Sequence, residues 1–149
     1  MTSVRDVLAG MPDVEVVYTR DPAVLRGRQA RWFPRVRQIA MHADLRGRRW
    51  RCDLMHELGH AVLGHPASCD NEFFDQRNEL EADLFAAVAL LPCLDTVARE
   101  LATAGSYSHA AHNLGVIHDF LELRLRYLDA DERRHVDRAV WSVHEGIGA

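Results

Sequence analysis

The stretch RCDLMHELGHAVLGH, Arg51 to His65, places His56 and His60 four positions apart around Glu57. On an α-helix that spacing turns through about 400°, so the two side chains lie about 40° off eclipse and about 6 Å apart along the axis. Two imidazoles on one face can chelate a single ion. Zinc accepts neutral imidazole nitrogen, prefers four ligands, and in catalytic sites keeps one position for water. Glu57, adjacent to His56, is badly placed to join the same coordination sphere but can face that water and remove its proton, the task of the glutamate in HExxH peptidases. Nine histidines in 149 residues can produce such a pattern by chance. The surroundings argue otherwise: Leu54, Leu58, Ala61 and Val62 make an apolar shell that restricts bulk water, and Gly59 leaves room for a neighbouring element to approach closely.

A third ligand is needed, and NELEADLFAAVALLP, Asn78 to Pro92, carries three acids on a helix that soon becomes almost wholly apolar. Acids at a buried boundary require partners. Glu79 and Asp83 share a face, whereas Glu81 is turned about 200° from Glu79. Glu79 is then the carboxylate ligand, and Asp83 accepts the distal N–H of a ligating histidine, fixing its tautomer. Glu81 is the competing ligand, and the register of the helix decides between them. Attraction to the positive end of the helix explains any one acid, but not an ExxxD face following an HExxH helix. For His65, an exposed helix-end histidine and a second oxyanion donor are equal readings. Tyr107, His109 and His112 are further donor candidates that spacing does not separate.

These residues need elements to position them. A first helix is expected over Thr2 to Met11, with Ser3 as N-cap and Pro12 as stop, followed by a strand at Val14 to Thr19. DPAVLRGRQARWFP, rich in Pro, Gly and Arg, reads as an exposed loop. Its arginines form a solvated cluster, or a patch for an acidic partner or the substrate, with Trp32 and Phe33 adding apolar surface. VRQIAMHA, Val36 to Ala43, is a second strand with too mixed an alternation to assign faces. It is read as a sheet edge, and as the strand along which an extended substrate would pair. Helices follow near Arg48 to Leu63, Gln76 to Leu91, Pro92 to Ala104, Tyr107 to Leu128 (interrupted near Leu114) and Asp131 to His144, with Asp131 as the last cap. Strands at the front and helices behind describe an α+β fold. One domain is expected over 1–149: a strand-containing part to 45, the two site helices over 46–92, and a helical part over 93–149.

The bulk composition, 48% hydrophobic and 27% charged, fits one globular core. A net charge of −4 gives no basic field for nucleic acid or an anionic membrane. The N-terminus lacks the marks of a signal peptide, so a cytoplasmic location is expected. Cys52, Cys69 and Cys93 form no CxxC pair and read as reduced, structural thiols, with Cys69 the one nearest the acidic stretch. The competing function is a metal-stabilised regulator that binds a repressor or DNA without cutting peptide, because YSHAAHNLGVIHDFLELRLRYL can form a helix-turn-helix. Asp119, Glu122 and Asp129 beside Arg124 and Arg126 disfavour DNA. Leu114, Ile117, Leu121, Leu125 and Leu128 instead form a core-facing stripe.

HELGHAVLGH followed by ELEADLFAAVALLP resembles the ImmA/IrrE family of zinc metallo-endopeptidases, most strongly from Arg48 to Pro92 and more loosely on either side. The resemblance implies a zincin-like helical core of the gluzincin type, with the third ligand a glutamate on a later helix. By position, His56, His60 and Glu79 would bind Zn2+, Glu57 would be the general base and Asp83 the supporting acid. It also implies a protein substrate: members of the family often cleave or inactivate a helix-turn-helix repressor of a mobile element, prophage or stress regulon. This chain has LLP where LLMP is common, and PASCDNEFFDQRN lengthens the spacer between His65 and Glu79.

Overall fold

The computed structural model describes residues 3–67 and 72–146; Cys69 lies outside them. Helix α1 (Val4–Ala9) opens on a capping box, in which Ser3 accepts from the Asp6 backbone N–H and Asp6 accepts from that of Ser3. Three strands follow: β1 (Glu15–Thr19), β2 (Ala30–Phe33) and β3 (Gln38–His42), with the short α2 (Pro22–Leu25) between the first two. β3 pairs in parallel with β1, from Glu15 opposite Gln38 to Thr19 opposite His42, and antiparallel with β2, from Ala30 opposite Met41 to Phe33 opposite Gln38.

The sheet order is β1-β3-β2, so β3 is the central strand and not the expected edge. Ile39, Ala40 and Met41 are all buried. A strand covered on both faces loses the in-out alternation that would reveal its faces. The exposed loop expected at DPAVLRGRQARWFP is also corrected. Asp21 caps α2 by accepting from the Ala23 backbone N–H at 2.8 Å, with Pro22 in its first turn. Ala30 and Trp32 of β2 are buried, so Trp32 belongs to the core and not to a surface patch. The same Asp-Pro pair serves a turn or a helix start.

Helices make up the rest: α3 (Gly47–Leu63), α4 (Glu72–Leu90), α5 (Leu94–Thr103), α6 (Tyr107–Asn113), α7 (His118–Arg126) and α8 (Ala130–Gly146). The fold is α+β, a small mixed sheet in front of a mostly helical core. Leu54, Met55 and Leu58 of α3, Ala86, Ala87 and Leu90 of α4, and Ile39 and Met41 of β3 lie in one buried cluster, each large side chain contributing about 2 kcal/mol through lost apolar surface. α7 packs on α4, and α8 on α5. Leu121 and Leu125 are buried, with Leu114, Ile117 and Leu128 packed partly against them, so the leucine stripe serves the core. The cap of α8 is Asp129 in place of Asp131: its Oδ1 accepts from the backbone N–H groups of Asp131 and Glu132 at 2.9 and 2.8 Å. No helix among the described residues is long and apolar enough to cross a membrane.

Candidate metal centre

Gly59 determines how closely the two site helices approach. A Cβ there would lie 3.0 Å from the Ala82 carbonyl oxygen and 3.1 Å from its Cα, so α3 and α4 are in backbone contact at this point. One turn of α3 therefore faces one turn of α4, with His56 and His60 opposite Glu79 and Asp83. The Nε2 atoms of His56 and His60 are 3.1 Å apart. Glu79 completes a triangle through its two oxygens, Oε2 3.4 Å from His56 Nε2 and Oε1 3.5 Å from His60 Nε2; with one oxygen as donor, the three ligand atoms lie within 4.8 Å of one another.

Those edges test whether an ion fits. Tetrahedral zinc with bonds of about 2.0–2.1 Å spaces its donors about 3.4 Å apart. His56, His60 and Glu79 are the group among the described residues able to hold a metal ion, and two nitrogens with one carboxylate oxygen suit zinc chemically. Glu81 lies outside the triangle and meets His65 instead, so Glu79 is the acid that α4 brings to the two imidazoles.

Asp83 Oδ1 sits 2.7 Å from His56 Nδ1. Burial lowers the proton affinity of His56, but its hydrogen bonds to Asp83 and Glu79 outweigh that and raise the imidazole to about 10. For His60 the charge of Glu79 is outweighed: burial and the neighbouring His56 push it down to about 4. The hydrogen bond to His56 holds Glu79 down to about 2 against partial burial, with help from Arg28, whose Nη1 donates to Glu79 Oε1 at 3.2 Å.

Glu57 is buried, 4% exposed, and lines the same cleft as His56 and Glu79. Burial and the charge of Glu79 raise it to about 7, while His56, the Trp32 backbone and Arg28 pull it back. A carboxyl poised there can accept a proton and return it at neutral pH. His56, Glu57, Glu79 and Asp83 line one open cleft between the segment leading into β2, Gly27 to Ala30, and the α7 side, where Ile117, Phe120 and Leu123 alternate with Asp119, Glu122 and Arg126.

With this geometry in place, residues 12–126 match the family described as the IrrE N-terminal-like domain, Peptidase_M78. The chain belongs to that family. It is a Peptidase_M78 metallopeptidase with a candidate His-His-Glu metal site. A comparison with curated proteins returns no match.

Of the other residues singled out from the Peptidase_M78 sequence, Tyr107, His109 and His112 are exposed on α6 and do not line the cleft. His65 is neither an exposed helix-end residue nor a cleft residue: it is 6% exposed and packs behind His60. Arg28 and the Trp32 backbone, both touching the site, were missed by sequence reasoning. They belong to the stretch read as a loop, where no spacing relates them to the histidines.

Proposed function

We propose that this Peptidase_M78 chain is a zinc-dependent endopeptidase that hydrolyses a peptide bond in a protein substrate, a helix-turn-helix transcriptional repressor. His56, His60 and Glu79 would hold the ion, Glu57 is the general base, and Asp83 orients His56. The observation that carries this reading is the donor triangle with a buried carboxyl raised to about 7 in the same cleft. Zn2+ at these donors would supply Lewis acidity to the scissile carbonyl and make the attacking water easier to deprotonate.

The remaining chemistry belongs to the chain. Glu57 takes the proton of the attacking water as its oxygen bonds to the carbonyl carbon, then delivers that proton to the departing amine nitrogen as the C–N bond breaks. Asp83 accepts from His56 Nδ1 and so keeps Nε2 turned to the cleft. On the α7 side the cleft offers Ile117, Phe120 and Leu123 for apolar contact and Asp119, Glu122 and Arg126 for polar contact with a substrate. An extended substrate segment pairs with the outer edge of β2, whose first residue Ala30 lines the cleft, in place of the central β3. Backbone pairing of this kind gives affinity with little sequence readout.

The test separates chemistry from ion binding. Purified Glu57→Gln should retain one zinc per chain and lose cleavage of a repressor encoded beside it, with new termini mapped by mass spectrometry for the unmutated protein. His60→Ala should lose the zinc itself. Full cleavage by Glu57→Gln would overturn the assignment of the base.

A further inference from the structure

His65 is buried, yet it is reached by none of the roles assigned so far. Gly64, in the left-handed conformation at φ 69°, ends α3 and turns the chain back, so that both its own N–H and that of His65 bond to the His60 carbonyl. The turn lays the His65 ring beside the His60 ring, with Nδ1 to Nδ1 at 2.9 Å. On its far side, His65 Nε2 meets Glu81 Oε2 at 3.1 Å, and the other oxygen of Glu81 accepts from Arg77 Nε at 2.8 Å.

We propose that His65 and Glu81 form a positioning relay that fixes the tautomer of His60 and so turns its Nε2 lone pair toward the ion. The inference rests on the reading of His60 as a metal ligand. Its logic is the direction of the hydrogens. A carboxylate only accepts, so His65 donates to Glu81 from Nε2. A neutral His65 then presents a bare Nδ1, and the short contact to His60 requires the hydrogen to come from His60 Nδ1. A His60 that carries its hydrogen on Nδ1 has Nε2 free, and Nε2 is the atom in the donor triangle.

Each histidine ligand thereby has its own acid. Asp83 reaches His56 directly, while Glu81 reaches His60 through an intervening imidazole. Glu79 and Glu81, two residues apart and pointing different ways around α4, thus serve one centre from two sides. His65 touches neither cleft nor substrate, so its role is positioning.

Nitrogen-proton correlation spectra of the intact zinc-loaded protein test the relay without any mutation. Expected are a hydrogen on Nδ1 of His60 and on Nε2 of His65; a hydrogen on Nδ1 of His65 would overturn the proposal. A zinc titration against a competing chelator gives the second test. His65→Phe keeps a ring but has no acceptor, and should weaken zinc binding by about ten- to a hundred-fold, the usual loss for an outer partner of a ligand. His65→Asn, whose Oδ1 replaces Nδ1 as acceptor, should restore most of that affinity. Equal affinity in wild type and His65→Phe would overturn the relay and leave the metallopeptidase reading standing. A wild-type protein that binds no zinc would overturn both.

Discussion

Asp83 has no hydrogen to give as a carboxylate, so its 2.7 Å contact decides which nitrogen of His56 faces the cleft. Its side chain is 40% exposed, and a change there should act on the ion more than on the fold. Asp83→Asn keeps an acceptor oxygen but loses the charge that makes the imidazole a stronger donor to a metal. Zinc affinity should fall about ten-fold, with the unfolding midpoint of the zinc-free protein nearly unchanged; an affinity equal to that of the wild type would remove Asp83 from the site. At this scale the sequence was informative where partners share a helix. His56 and His60, or Glu79 and Asp83, are four apart, and helical geometry alone puts them together. Glu79 is preferred over Glu81 because it shares a face with Asp83, but the rotation of α4 against α3, on which that choice depends, was not legible. The pairing of His65 with Glu81 was hidden for a related reason: it joins a residue beyond a helix end to another helix, through the turn at Gly64.

Between elements, the contact that matters most is the one at Gly59. Alanine is favoured over glycine inside a helix by about 1 kcal/mol, and on an isolated helix Gly59→Ala would stabilise. Here the new methyl would press on the backbone of Ala82, which cannot rotate aside, with Phe85 at 3.2 Å closing the other direction. Overpacking of this kind costs about 1–3 kcal/mol. The expected outcome is a net loss of about 1 kcal/mol in urea unfolding, after the helix preference is set against the clash. Zinc should also bind more weakly, since pushing α4 away carries Glu79 from the two imidazoles. A variant that is more stable and binds zinc normally would show that the helices have slack. That Gly59 admits a close neighbour was readable from its small size beside two histidines, but which neighbour was not. Strands were harder. Trp32 and Ala30 face inward while Arg31 and Phe33 lie over the surface, and four residues between arginines give too short an alternation to separate from a loop. β3 hid its central place because Ile39, Ala40 and Met41 are covered on both faces.

Across the whole molecule, the donor set spans two helices whose connection includes residues 64–71, so an ion there ties α3 to α4 independently of the chain between them. In the unfolded chain His56 and His60 are still near each other, but Glu79 is not held beside them, and the complete triangle belongs to the folded state alone. Binding that prefers the folded state must raise its stability, by about 2.7 kcal/mol when free ligand is a hundred-fold above the dissociation constant. For a chain of this length each kcal/mol shifts the thermal midpoint by about 2–4 °C, so zinc at that excess should raise the midpoint by about 5–10 °C, and chelation should reverse the rise. His60→Ala should abolish the shift. Glu57→Gln should keep it, because Glu57 lines the same cleft without being a corner of the triangle, and removing its charge leaves all three donors in place. A midpoint indifferent to zinc in a protein that binds one zinc per chain would mean that the ion sits as well on the unfolded chain as on the folded one, which the packing of Glu79 against both imidazoles does not allow.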